Sequence, residues 1–290
     1  MFPQTTSSRH LIALIVTIAA FASGACAALQ PPDADGPRSN VPPYPIGLAD
    51  PAARLEEASV AWFQMSQRYG LTAKTEANLN PFTGTIESLP ANAGPIVLPK
   101  IGTEPEQTEE QVRESLRRFI VEWRQLIGAD PDQLSLVERT DEPSGVKLAR
   151  YEQRPFRYPL RGEFGKLLIR FRADRQLVSI SSTCIPNADR LQAPLAGLTP
   201  KVTADQAVDH VRRQPVVAPD ASGRQQTFTI PSTAAVTARE LVVYARPASD
   251  PSGDQSGGLQ LYLAWEIEVG NGPIKTVYLD AVSDQVLAVA

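Results

Sequence analysis

The sequence predicts an α+β protein in which a helix followed by antiparallel strands occurs twice. Apolar residues occupy every second position from Leu259 to Val269, which is typical of a strand with one buried face. A break rich in glycine follows at 270–273, and the alternation then resumes from Lys275 to Ala281, so the two segments predict an antiparallel hairpin. After Thr108, apolar residues instead recur every three or four positions, which is the period of a helix with one buried face.

The helices are predicted by their ends as well as by their period. Thr108 and Thr203 each precede a glutamine by three residues, as in a capping box. Gly70 ends a predicted helix over Leu55–Tyr69, and Gly128 ends the helix that follows Thr108. The order helix, strands, turn and return strand therefore occurs twice, which indicates a weak internal repeat with each helix packed across a small antiparallel sheet.

The composition favours a protein with a hydrophobic core and argues against nucleic-acid binding. Of the 290 residues, 42% are hydrophobic, which suffices for the cores of two small domains. The formal net charge of -4 opposes binding to a phosphate backbone. Arginines and lysines cluster between residues 150 and 175. We interpret them as a solvated strand face, with a functional basic patch as the alternative, because neither a stacking aromatic pattern nor a phosphate loop accompanies them.

The N-terminus has the three-part layout of an export signal. Arg9 and His10 precede an apolar run over 11–21, which is too short to span a bilayer as a helix, and small residues follow it. We predict cleavage after Ala27, with lipidation at Cys26 as the alternative. Cleavage after Ala27 leaves Cys184 without a second cysteine in the sequence, and we expect Cys184 to be a small buried residue rather than a reactive thiol.

Few residues have catalytic potential, and their contexts favour structural roles. The two histidines are His10, which leaves with the signal, and His210, so no histidine pair for zinc exists. A base formed by His210 with Asp209 lacks any nucleophile motif nearby. Glu266 and Glu268 share one strand face and are either an acid–base pair or, more commonly, solvated carboxylates. We therefore predict a non-enzymatic protein with no catalytic residues, no cofactor and no metal site.

Two parts of the chain resemble the propeptides of fungalysin/thermolysin-type metalloproteases. The segments that resemble their FTP motif are 130–134, 151–153 with 159–160 and 162–163, and the run from Leu167 to Ser182. The segments that resemble their PepSY-like domain are 241–244, 261–269, 277–281 and 286–287. Together the two parts cover residues 106–290, and the double glycine that is usual before the first hairpin is here Gly162-Glu163.

The resemblance implies two tandem cystatin-like modules, FTP-like over 106–185 and PepSY-like over 198–290, each a helix packed on a small antiparallel sheet. Before them we expect a signal peptide at 1–27, a proline-rich linker at 28–50 that acts as an extended tether, and an N-terminal helix and loop extension at 51–105. The resemblance also implies a propeptide-like protein, here without the protease domain, and assigns it no catalytic residues.

The function we expect is that of an exported, periplasmic or secreted protein that binds another protein. Its partner would be a thermolysin-like metallopeptidase that it assists in folding or inhibits. The alternative is an envelope-associated structural or interaction module with no peptidase partner, at a membrane only if Cys26 is lipidated. The sequence leaves the oligomeric state open.

Overall fold

The computed structural model describes residues 43–48, 50–71, 76–90, 94–103, 107–219, 225–248, 258–270 and 274–290. The predicted signal, with the lipidation site Cys26 and the cleavage site Ala27, lies outside these residues. Helices and strands both contribute to the described fold, which confirms the α+β class.

The described helices are α1 (Pro51–Tyr69), α2 (Glu109–Glu122), α3 (Arg124–Ile127), α4 (Asp189–Ala196) and α5 (Ala204–Arg213). The described strands are β1 (Ile46–Gly47), β2 (Asn78–Leu79), β3 (Ile86–Ser88), β4 (Leu134–Asp141), β5 (Val146–Gln153), β6 (Leu160–Arg161), β7 (Lys166–Arg172), β8 (Leu177–Ser182), β9 (Val216–Pro219), β10 (Gln225–Phe228), β11 (Val236–Pro247), β12 (Leu259–Val269), β13 (Thr276–Asp280) and β14 (Val286–Val289).

The helix ends follow the capping signals in the sequence. The capping boxes predicted at Thr108 and Thr203 are both present at the starts of α2 and α5. Gly128 ends α3 in the left-handed conformation, at φ 80°, where a Cβ would lie 2.5 Å from a methyl group of Thr85. The single helix predicted from Thr108 to Gly128 is interrupted at Trp123, whose φ of -111° separates α2 from α3.

A four-stranded antiparallel sheet forms the first part of the fold. Its strands lie in the order β4-β5-β7-β8. One face of this sheet packs against α1, α2 and α3, so the N-terminal helix is part of the same core as the strands. The largest buried side chains of this core include Met65, Leu116, Phe119, Leu126, Leu167 and Ile169.

A six-stranded sheet forms the second part, in the order β14-β13-β12-β11-β6 with β1 also paired to β12. The predicted hairpin is present, since β12 pairs with β13 from Ala264 to Glu268. β1 pairs with β12 at Gln260 and Leu261, in the part of β12 with which β13 does not pair. The end of the predicted tether therefore differs from our expectation, because Ile46 is buried in the core of this sheet.

The two faces of the six-stranded sheet are covered differently. α4 and α5 pack on one face, where every second side chain of β12 from Leu259 to Val269 lies. The sequence did not reveal α4 because Pro194 lies inside it, yet Leu191 and Leu195, one helical turn apart, are buried. On the opposite face, the buried cluster contains only strand residues and Tyr44 within the described part of the chain.

Candidate protein-interaction site

The face of the six-stranded sheet on which no described helix packs carries a group of aromatic and basic side chains. They come from the polar positions of the β12 alternation and from its neighbouring strands, where side chains alternate between faces. We call this surface the tyrosine face, and define it by Tyr44, Tyr244, Tyr262, Tyr278, Arg161 and Arg246.

The rings of the tyrosine face contact one another. The Tyr244 and Tyr278 rings are tilted, with centroids 4.6 Å apart, and Tyr44 meets Tyr262 edge to face at 6.0 Å. The guanidinium of Arg246 lies 4.7 Å from the centre of the Tyr262 ring and also donates a hydrogen bond to the Tyr262 hydroxyl. These contacts fix the positions of the side chains relative to one another.

Arg161 joins three strands at one end of this face. Its Nε donates to Glu266 at 3.0 Å, and its NH2 group donates to Glu240 at 3.0 Å. The Tyr278 hydroxyl also donates to Glu266, at 3.2 Å. Burial, followed by the negative charge of Glu266 and this hydrogen bond, raises the pKa of Tyr278 to about 12. β6 is therefore attached to β11 and β12 by charged hydrogen bonds as well as by its short ladder.

The two glutamates predicted to share a strand face have different surroundings. The side chain of Glu266 is 12% exposed and its carboxylate is held by Arg161 and Tyr278. The side chain of Glu268 is 60% exposed and lies 3.7 Å from Arg239. Glu266 is held by a cation and has a structural role, whereas Glu268 is solvated at the surface. This difference favours the interpretation of ordinary carboxylates over that of an acid–base pair.

Tyr44 attaches the N-terminal segment to the edge of the tyrosine face. Its hydroxyl donates to Asp280, which is 1% exposed and also accepts hydrogen bonds from the backbone of Val282 and Ser283. Burial and the neighbouring Asp280 raise the pKa of Tyr44 well above its usual value. Asp280 thus orders the turn after β13 and also binds a residue from the other end of the described chain.

The candidate base His210 does not pair with its sequence neighbour. Its Nδ1 lies 2.8 Å from Asp284, in the turn between β13 and β14, whereas Asp209 pairs with Arg213. An open cavity of about 470 Å³ adjoins these residues. No serine, threonine or cysteine lines this cavity among the described residues, so the cavity offers His210 no nucleophile to activate.

Four of the eight cations between residues 150 and 175 pair with carboxylates in the described structure: Arg150, Arg154, Arg161 and Arg170. Arg150 pairs with Glu138, and Arg170 holds both oxygens of Glu142. Arg161 pairs with two glutamates, as described above. For this half of the cluster the ion pairs favour the interpretation of a solvated strand face, because paired cations are less available to phosphate.

Other classes of site are not found in the described part of the chain. No group of three or more His, Cys, Asp or Glu side chains there could hold a metal ion. Cys184 is fully buried, and burial raises the pKa of its thiol to about 12, as expected for an unreactive core cysteine. Within the described helices, none combines the length and apolarity that a bilayer span requires.

Comparison with known proteins adds no assignment. The chain matches no protein-family model and no curated protein.

The tyrosine face was not predicted from the sequence, although one signal was present: Tyr262, Tyr244 and Tyr278 occupy the polar positions of strands in which apolar and polar residues alternate. The contribution of Tyr44 had no such signal, because it lies before a two-residue strand.

Proposed function

We propose that this is an exported, non-enzymatic, propeptide-like protein that binds another protein through the tyrosine face. The proposed partner is a secreted thermolysin-like metallopeptidase, which the protein would assist in folding or inhibit. The observation that carries this proposal is the tyrosine face itself, which lies on a sheet face that no described helix covers. Its tyrosines and arginines are partly exposed, except Tyr262, which is 6% exposed.

The composition of the tyrosine face suits protein recognition. Tyrosine and arginine are enriched among the residues that dominate binding energy at protein interfaces, since their large side chains combine apolar area with hydrogen-bonding groups. The rings already contact one another, so these side chains would lose little further freedom when a partner binds. The ion pairs around Arg161 would form a polar rim beside the aromatic centre.

The described fold is compatible with two tandem cystatin-like modules, which remain part of this proposal. In the FTP-like segment 106–185, α2 packs on the four-stranded sheet. In the PepSY-like segment 198–290, α5 packs on β12 and β13. The extension over 51–105 contributes α1 to the first of these cores. Both segments therefore pair a helix with antiparallel strands, and this pairing supports the two-module part of the proposal.

The proposal can be tested with thermolysin-like peptidases in two assays. In the first, increasing amounts of the full-length protein are added to active peptidase and peptide hydrolysis is followed. In the second, the denatured peptidase is refolded with and without the protein, and the recovered activity is measured. We expect inhibition, a higher refolding yield, or both, and we expect the double variant Tyr244→Ala/Tyr278→Ala to lose at least about tenfold in potency.

A matched control distinguishes binding through the tyrosine face from nonspecific binding through exposed aromatic side chains. Phe63 is an aromatic side chain on α1 that is 59% exposed and lies outside the tyrosine face. Phe63→Ala should keep the potency of the unmodified protein. A protein that affects neither activity nor refolding, or a Phe63→Ala variant that loses as much as the tyrosine double variant, would contradict the proposal.

Export and membrane attachment are tested separately, by mass spectrometry of the mature N-terminus. Cleavage after Ala27 predicts an N-terminus at Ala28 and a protein free of lipid. A diacylated Cys26 would place the protein at a membrane and favour the envelope-associated alternative. An intact N-terminus at Met1 would contradict export by a cleaved signal.

A further inference from the structure

A cavity beside the C-terminal half of α1 is not used by the proposed function. It has a volume of about 520 Å³, and its described lining comes from α1 and from residues 70–79. Small-molecule sites have volumes of roughly 300–1,000 Å³ and walls that are mainly apolar. The apolar side chains that line this cavity are Trp62, Phe63, Leu71, Ala77 and Leu79. The cavity therefore has the size and the wall of a small-molecule site.

Ser66 places a buried hydroxyl without a hydrogen-bond partner at this cavity. The residue lines the cavity and is 8% exposed, and its Oγ is buried and makes no hydrogen bond within the described residues. Ser59, two turns earlier on α1, differs because its Oγ donates to the carbonyl of Leu55 at 2.7 Å. Buried polar groups without a partner are uncommon in folded proteins. A bound molecule with a hydroxyl group would supply the missing hydrogen bond.

The charges at this cavity favour a cation. Glu76 is the one charged side chain among the described residues that line it, and this exposed carboxylate makes no ion pair with them or with any other described residue. The C-terminal turn of α1 also lines the cavity, and the end of a helix at which carbonyl groups lack partners carries a partial negative charge. Arg68 in that turn pairs with Glu122 and does not line the cavity. Aromatic rings in the wall can add a favourable interaction with a cation.

We propose that this cavity binds a small arylalkylamine whose ring carries a hydroxyl group. The ring lies against the apolar wall, the hydroxyl group forms a hydrogen bond with Ser66, and the ammonium group meets Glu76. Because Ser66 is buried and Glu76 is exposed, the hydroxyl group points inward and the amine points to solvent. The occupant is a small molecule, so this site does not depend on the peptidase partner, and Phe63 stays outside the surface proposed for that partner.

NMR titrations of the full-length protein with tyramine test this site. Three related probes each lack one proposed contact: phenethylamine lacks the hydroxyl group, para-ethylphenol lacks the ammonium group, and para-hydroxyphenylpropionate carries a carboxylate in its place. We expect tyramine to bind with a Kd below about 1 mM. Phenethylamine and para-ethylphenol should bind at least about threefold more weakly, and the carboxylate probe at least about tenfold more weakly.

Variants of the two polar residues locate the binding site. Glu76→Gln should weaken tyramine binding by at least about threefold and leave para-ethylphenol binding unchanged, which also shows that the cavity is intact. Ser66→Ala should weaken tyramine binding by at least about threefold and leave phenethylamine binding unchanged.

Glu56 provides the matched control, because it is an exposed carboxylate on α1 that makes no ion pair with described residues and does not line the cavity. Glu56→Gln should change tyramine binding by less than about 1.5-fold. The proposal is wrong if tyramine does not bind at about 1 mM, if the carboxylate probe binds equally well, or if Glu56→Gln matches Glu76→Gln.

Discussion

The Tyr44 hydroxyl donates a 2.5 Å hydrogen bond to Asp280, 236 residues further along the chain. The bond connects the segment before α1 to the turn after β13, in the sheet that carries the tyrosine face. Asp280 is almost fully buried, so each donor to its carboxylate offsets part of the cost of removing that charge from water.

Tyr44→Phe should therefore destabilise the protein by about 1–2 kcal/mol, because it removes a hydrogen bond to a buried charged group and little packing. Urea unfolding at pH 7 measures this change. Tyr158→Phe is the matched control, since the Tyr158 hydroxyl makes no hydrogen bond within the described residues. Equal free energies of unfolding for Tyr44→Phe and the unmodified protein would contradict the role given to this bond.

Local signals in the sequence predicted much of the fold. The capping boxes at Thr108 and Thr203 and the glycine stops at Gly70 and Gly128 are present where expected, because each is satisfied by residues within one helical turn. The strand over Leu259–Val269 has the predicted bounds, since its alternation reflects one buried face.

Features that depend on contacts between distant residues were not predictable in this way. β1 has two residues, and its pairing with β12 depends on where β13 ends. The proline-rich composition before it favours an extended tether, so Tyr44 gave no sign of its contact with Asp280. The tyrosine face is likewise assembled from β11, β12 and β13, and a single sequence does not reveal their mutual register.

The ion pair between Arg161 and Glu266 should be energetically coupled, whereas the pair between Arg239 and Glu268 should not. The first pair has a 3.0 Å contact and a Glu266 side chain that is 12% exposed. The second has a 3.7 Å contact between side chains that are about 60% exposed. Double-mutant cycles with Arg→Met and Glu→Gln changes should give about 1–2 kcal/mol for the first pair and less than about 0.5 kcal/mol for the second.

The two double-mutant cycles can also contradict the structural role given to Arg161. If both pairs give the same coupling free energy, then Arg161 does not fix β6 to the six-stranded sheet as described. The comparison uses one strand, β12, for both glutamates, so the difference reports on burial and geometry rather than on the strand's own stability.

Cys184 should resist alkylation in the native protein. Burial raises the pKa of its thiol from 9.0 to about 12, which lowers the thiolate fraction at pH 8 about a thousandfold, and the side chain is also inaccessible. Iodoacetamide labelling followed by peptide mass spectrometry should modify Cys184 only after unfolding in guanidinium. Val178→Cys, at an exposed position of β8, provides a rapidly labelled reference. Labelling of native Cys184 at the rate of that reference would disprove its burial.

Stability should fall above pH 10, and Tyr151 should contribute to the fall. Burial raises the pKa of Tyr151 from 10.0 to about 12, so the native state keeps a proton that the unfolded state loses. The stabilisation is complete below pH 10 and is lost as pH rises from 10 towards 12. Tyr151→Phe should reduce the slope of unfolding free energy in this range by up to about 1.4 kcal/mol per pH unit. Unfolding curves with parallel pH dependence for the two proteins would contradict this prediction.

We propose that the tyrosine face binds a thermolysin-like metallopeptidase, and hydrogen exchange of the complex tests this proposal most directly. We expect slower exchange on complex formation in β11 around Tyr244 and in β13 around Tyr278. We also expect complex formation to weaken at least about tenfold for Tyr244→Ala/Tyr278→Ala and to be unchanged for Phe63→Ala. The absence of a complex with the unmodified protein, or protection confined to surfaces other than the tyrosine face, would contradict it.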